Sequence, residues 1–156
     1  MKLGTGLHTY EVAEGWPRLP DGWAFTQTPA VVVDSQDRVY VFNRSAHPVI
    51  VFDRDGRFLH AWGEDVFMRA HGLWIDGHDH LYFVDMDAHL LIKCTTEGKV
   101  LMTVGTKGIP HPDGSPFNIP TDVAVRSDGV FYVSDGYGNS RVHKFAPDGR
   151  LLSSWG

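Results

Sequence analysis

The sequence predicts an all-β protein assembled from a repeated antiparallel unit, and three observations lead there. The chain has 17 Gly and 9 Pro and is 42% hydrophobic and 12% aromatic, a composition suited to short strands joined by tight turns. No window sustains the apolar period of about 3.6 residues that an amphipathic helix needs over several turns. A segment of roughly forty residues recurs three times, and an internal repeat of that length constrains the fold more than any single element does.

The first copy, Val33 to Gly63, reads VDSQDRVYVFNRSAHPVIVFDRDGRFLHAWG, and it returns from Ile75 to Gly105 shifted by 42 residues without a gap. Tyr40 falls on Tyr82, Ile50 on Ile92, Gly56 on Gly98 and Leu59 on Leu101. The third copy, Val125 to Gly156, aligns at a shift of 92 before Tyr137 and 93 after it, so one residue is inserted in the loop around Tyr137.

Each copy divides into four strands. In the first copy they are predicted at 30–34, 39–43, 49–53 and 58–62. The breaks between them are Ser35–Asp37, Ser45–Pro48 and the pair Asp55-Gly56. That last turn recurs as Glu97-Gly98 and Asp148-Gly149, where Gly accepts the positive φ of a hairpin. Four antiparallel strands per unit of about 40–45 residues is the signature of a β-propeller blade. The expected organisation is a partial propeller over 1–156, with blades at about 29–63, 71–105 and 120–156. Residues 8–25 fit no repeat and are expected to form a lead-in, with 9–13 as an outer strand that latches the last blade of a closed ring. Three blades read as half of a six-bladed propeller, incomplete in this chain. The alternative is two copies pairing into a ring as a homodimer through exposed blade faces.

Charge and cysteine content narrow the function. The net charge of −5, without a run of Lys or Arg, argues against a nucleic-acid or anionic-membrane surface. Cys94 is the only cysteine, which excludes an internal disulfide and a Cys-rich zinc module. MKLGTGLHTYEV has no signal-peptide apolar stretch, and a cytoplasmic protein is expected.

A four-strand meander brings the start of its innermost strand and the loop after its second strand to one mouth of the channel. That set comprises His71-Gly72-Leu73, Asn43-Arg44, Asp85-Met86, Asp122 and Asp135-Gly136-Tyr137, and a channel mouth is the expected ligand site. His71 opens an innermost strand where the other copies have Pro29 and Thr121. A lone His is more often structural than a metal ligand, and a catalytic zinc needs three protein ligands, so this chain holds no complete metal site. His78 and His80 read as turn residues; His47 and His89, related by the repeat, read as blade architecture. Tyr137, between Gly136 and Gly138, either caps its blade or acts as a general base, a role that requires a nearby cation or metal. Arg44 either pairs with Asp53 or Asp55 or binds a substrate carboxylate.

The strings VYVFNR (39–44), HGLWID (71–76), PTDVAV (120–125) and SDGYGNSRVHKFAPDG (134–149) resemble those of NHL-repeat β-propellers, in particular the peptidyl-α-hydroxyglycine α-amidating lyases and their bacterial homologues. The resemblance implies a six-bladed propeller that cleaves a carbinolamide to an amide and glyoxylate. By resemblance, His71 is one of three zinc-binding His, Val31 and Leu73 give backbone carbonyls to a calcium, Tyr137 is the catalytic Tyr and Arg44 binds substrate. The remaining ligands are expected beyond Gly156. Secreted animal members carry a disulfide whose positions correspond here to Asn118 and Gly138, and its absence fits a reducing compartment. The competing expectation is a non-catalytic NHL propeller that binds a protein or small ligand at the channel mouth.

Overall fold

The computed structural model describes residues 2–113 and 116–156, all of it strand, turn and loop. Among these residues no helix is long and apolar enough to cross a membrane. A two-stranded hairpin, β1 (Lys2–Thr5) and β2 (His8–Glu11), precedes three four-stranded antiparallel sheets. The first sheet holds β3 (Ala30–Val33), β4 (Val39–Phe42), β5 (Val49–Phe52) and β6 (Phe58–Trp62). The second holds β7 (Ala70–Ile75), β8 (Leu81–Asp85), β9 (Leu90–Cys94) and β10 (Val100–Val104). The third holds β11 (Asp122–Val125), β12 (Phe131–Asp135), β13 (Arg141–Phe145) and β14 (Leu151–Trp155). In each sheet the strands are hydrogen-bonded in chain order, the meander of a propeller blade.

The first turn of each of the first two blades is closed by an aspartate. Asp34 Oδ1 accepts the backbone N–H groups of Gln36 and Arg38, at 2.9 and 2.8 Å, while its Oδ2 takes Arg38 Nε and the Tyr40 phenol. Asp76 repeats the backbone pattern with His78 and His80. The third turn of every blade carries a glycine at positive φ, 78° at Gly56, 84° at Gly98 and 86° at Gly149. Each is roofed from the preceding unit: Gly98 by the Trp62 indole of the first blade, Gly149 by Met102 of the second. Gly56 is roofed by Trp16 of the lead-in, whose ring lies within 2.5 Å of where a Cβ would stand.

Alternation along the strands sends successive side chains into different blade interfaces. Tyr40, Phe42, Val49 and Val51 meet Leu73, Leu81, Phe83 and Ile92 between the first two blades, where the Phe42 and Phe83 rings cross edge to face at 4.9 Å. Tyr82, Val84 and Leu91 meet Val123, Phe131, Val133 and Phe145 between the second and third. Both faces of β4, β5 and β8 are therefore buried.

The outward face of the first blade, Val39, Val41, Ile50 and Phe52, is covered by Leu19, Trp23 and Phe25 of the lead-in. Trp23 stacks on His47 at 3.4 Å, and Arg18 N–H donates to Gly56 O at 2.8 Å. Hence the lead-in is a packed strap, and the bare blade face is that of the third sheet, where Trp155 is 49% exposed. The segment expected as a latch strand lies partly in β2, paired with β1 and exposed throughout.

Candidate functional site at the channel mouth

The inner strands β3, β7 and β11 each pair on one side only, so their free edges line the channel. Asp34 N–H bonds Arg38 O, Asp76 N–H bonds His80 O and Arg126 N–H bonds Val130 O, which fixes the phase of the three ladders. Counting back in twos, Val31, Leu73 and Val123 occupy the non-bonded positions, and their peptide groups turn to the channel edge. Val31 and Leu73 are the carbonyl pair that the resemblance assigns to calcium. Val123 is their counterpart at the shift of 92, which the repeat alignment would have supplied.

His71 enters this edge from β7. Its Nδ1 lies 2.7 Å from Thr121 O. A carbonyl only accepts, so Nδ1 carries the proton, which in the neutral imidazole leaves the Nε2 lone pair for a metal. The close approach of β7 and β11 depends on Gly72: a Cβ there would stand 2.7 Å from Thr121 O and 2.8 Å from Asp122 Cα. A cavity of about 430 Å³ opens here, lined by Pro29, Val31, His71, Leu73, Thr121 and Asp122.

Tyr137 reaches the same mouth from the loop between β12 and β13. That loop has five residues against four between β8 and β9, the inserted residue of the repeat. The Tyr137 ring lies 5.6 Å from the His71 ring at 72° and is 65% exposed. Its loop is tied down by Asp135, fully buried, which accepts Asn118 N–H at 2.9 Å and Asn139 Nδ2 at 2.6 Å. His143, also fully buried, stands where the other blades have Ile50 and Ile92 and bridges Asp135 to Ser154. A carboxylate only accepts, so Nε2 donates to Asp135, while Nδ1 meets the Ser154 hydroxyl at 2.7 Å. This clamp was missed in the sequence, and the His in place of two Ile was the available signal.

Asn43, Asp85 and Asp135 were grouped with the ligand-binding mouth, and here the structure corrects the grouping. All three are fully buried and bind loop backbone: Asp85, for instance, takes Met68, Arg69 and Ala88 N–H groups. Arg44 is corrected too, since neither Asp53 nor Asp55 is its partner. Arg44 Nε donates to Ala70 O at 2.9 Å, Nη1 to Gln27 Oε1, and Nη2 lies 3.6 Å from Met86 Sδ. The guanidinium is thereby fixed beside the residue that precedes His71. Gly138 abuts Asn118, with a Cβ at Gly138 falling 2.3 Å from Asn118 Cγ, so the two positions of the animal disulfide are neighbours in space. His47 and His89 are architectural: His47 bonds Glu64, and His89 Nδ1 accepts Ile119 N–H.

For zinc, the donor set fits in part. His71 has the tautomer and the exposed lone pair of a ligand, but among the described residues no three His, Cys, Asp or Glu side chains are grouped to hold an ion.

A family model described as NHL repeat matches residues 117–145, which run through β11, β12 and β13. Peptidyl-alpha-hydroxyglycine alpha-amidating lyase 2 of Drosophila melanogaster is 30% identical over 167 residues, covering 90% of this chain and 41% of that protein. A probable peptidyl-alpha-hydroxyglycine alpha-amidating lyase of Caenorhabditis elegans is 34% identical over 106 residues, 67% of this chain and 30% of its own length. The peptidyl-glycine alpha-amidating monooxygenase of Mus musculus is 30% identical over 186 residues, 99% of this chain and 18% of its own. The chain thus spans less than half the length of these curated relatives. Among solved structures, virginiamycin B lyase from Staphylococcus aureus superposes with a TM-score of 0.60 at 17% identity, over 81% of this chain and 40% of that one, a likeness of fold. The chain thus carries an NHL repeat within a set of β-propeller blades and is similar in sequence to the peptidyl-α-hydroxyglycine α-amidating lyases.

Proposed function

We propose that the chain is the first half of a six-bladed, metal-dependent lyase that cleaves a carbinolamide carbon–nitrogen bond to give an amide and glyoxylate. The observation that carries this reading is the meeting of His71 and Tyr137 at one mouth, 5.6 Å apart, with the imidazole lone pair left for a metal. Zinc held at His71 Nε2, with its other ligands from outside these residues, would supply a Lewis acid at the substrate hydroxyl. Tyr137 would accept the hydroxyl proton. As the C–N bond breaks, the oxygen's electrons would form the new carbonyl, and the departing amide nitrogen would take the proton that Tyr137 had accepted. Arg44 would hold the substrate carboxylate through Nη2, where only the weak thioether acceptor of Met86 now stands. Val31 and Leu73 would give carbonyls to a structural calcium. A cytoplasmic setting, and a homodimer through the bare face of the third blade when the chain stands alone, belong to the same proposal.

The test is turnover of an α-hydroxyglycine-capped peptide by the complete polypeptide. Tyr137→Phe is expected to lower kcat by about 10²–10⁴-fold with metal content unchanged, and His71→Ala to lose metal and activity together. Wild-type rates in Tyr137→Phe would sink the role given to that loop. No turnover by the unaltered protein would leave a binding propeller instead.

A further inference from the structure

At the opposite end of the channel from the mouth, the blades depart from their own repeat at one place. In the first blade Asp34 and Arg38 close on each other through Arg38 Nε, 2.6 Å from Asp34 Oδ2, and the neighbouring strand position is the apolar Val51. In the second blade the Arg is replaced by His80 and Val51 by Lys93; in the third, the Asp itself is replaced by Arg126. A cavity of about 360 Å³ lies between these last two blades. Lys93 and Arg126 line it from opposite walls, His78 and His80 stand on the second blade's side, and the Tyr82 ring and Pro147 contribute to its lining.

The carboxylates nearby are already engaged. Asp76 Oδ1 takes two backbone N–H groups at 2.9 Å, and its Oδ2 meets His80 Nδ1 at 3.1 Å and the Tyr82 hydroxyl at 3.4 Å. Lys93 Nζ stands 3.7 Å from that oxygen, beyond hydrogen-bond range, and 4.9 Å above the Tyr82 ring. Asp128 accepts Val130 N–H and meets Arg126 through one guanidinium nitrogen at 2.8 Å, not through the paired fork. The lining thus carries two cations on facing walls, each within 4 Å of a carboxylate that also lines the cleft, with two imidazoles beside them, and an anionic ligand would bridge the cations in competition with Asp76 and Asp128. The cavity size is that of a small-molecule site.

We propose that this cleft binds a small anion bearing a phosphate or two carboxylates. Both walls belong to complete sheets of this chain, so the inference is independent of the metal and of the lyase reading. Calorimetric titration of the purified chain with inorganic phosphate and, separately, with succinate is the test. Saturable one-to-one binding of either anion is expected, weakened at least about tenfold by Lys93→Met and by Arg126→Gln and unaltered by Lys99→Met on the surface. Binding of phosphate alone assigns a phosphoryl ligand, and of succinate alone a dicarboxylate. The Arg126 side chain is 55% exposed, so Arg126→Gln keeps its fold and decides the matter even where Lys93→Met unfolds. Absence of saturable binding by both anions, or equal affinity in Arg126→Gln and wild type, overturns the proposal.

Discussion

Gly72→Ala tests the close approach of blades two and three at the mouth. The new methyl would stand 2.7 Å from Thr121 O and 2.8 Å from both Asp122 Cα and Asp122 Oδ1. Two of these three are backbone atoms, so they cannot swing aside. Restoring ordinary contact requires the inner strands to part by about 0.7 Å, starting from the 2.7 Å approach. Gly72 has no positive φ, so the cost is overpacking alone, about 1–3 kcal/mol. Parting the strands also stretches the 2.7 Å contact of His71 Nδ1 with Thr121 O, which holds the imidazole. Gly77→Ala is the matched control: its Cβ would meet nothing within 4 Å, and its φ is likewise not positive. Urea unfolding should show a lower midpoint for Gly72→Ala, by about 1 M, at unchanged slope, and little change for Gly77→Ala. Equal midpoints for the two variants would refute the packing argument.

Four further outcomes follow from the structure. Cys94 is fully buried, and burial pushes its thiol up to about 12, so iodoacetamide should modify it only after denaturation; rapid labelling of the native chain contradicts this. Burial of Asp34 would raise its pKa, but the Arg38 and Gln36 amides, the Arg38 guanidinium and the Tyr40 phenol outweigh it and hold the carboxyl below the usual range. That stabilisation is present above the unfolded value of about 3.9 and is lost as pH falls through the folded one, so thermal melts of Asp34→Asn should be less acid-sensitive below about pH 4; an unchanged acid slope counts against it. A Cβ at Gly138 would stand 2.1 Å from the Asn118 carbonyl oxygen, a backbone atom, so Gly138→Ala should lower the urea midpoint, and an unchanged midpoint would contradict that close approach. A polypeptide of these 156 residues should bind zinc only weakly, because His71 has no grouped partners among the described residues; tight one-to-one binding by calorimetry would overturn that.

The strands were legible because the repeat places the same alternation and the same turn residues at a shift of 42, and β3 to β6 fall within a residue or so of their expected bounds. Meander geometry alone groups His71, Arg44 and Tyr137, and of these the structure brings the His71 and Tyr137 rings to 5.6 Å. What the pattern hid lies outside the repeat or deviates from it. Trp16, Leu19 and Trp23 gave no periodic signal, yet they cover a blade face, because an irregular segment with fixed aromatic anchors can replace a strand. Arg44 looked like a partner for Asp53 or Asp55, but those sit on the turn at the other end of β5, out of reach from the mouth. The loop acids Asp85 and Asp135 looked like channel ligands, but a buried carboxylate beside unpaired loop amides is satisfied locally.

The glycines under Trp16, Trp62 and Met102 have a consequence for cooperativity. Each unit is fastened to the one before it, and among the described residues the sheets meet only their immediate neighbours, so stability behaves as a one-dimensional sum of unit and junction terms. Within these residues the strap bearing Trp16 supplies the first blade with a second junction. The first and second blades then each have a junction on both sides, while the third keeps one side bare. Among the three blades, amide exchange should accordingly be slowest in β4, β5 and β8, which are buried throughout, and fastest in the sheet of β11 to β14, following the number of neighbours each blade has.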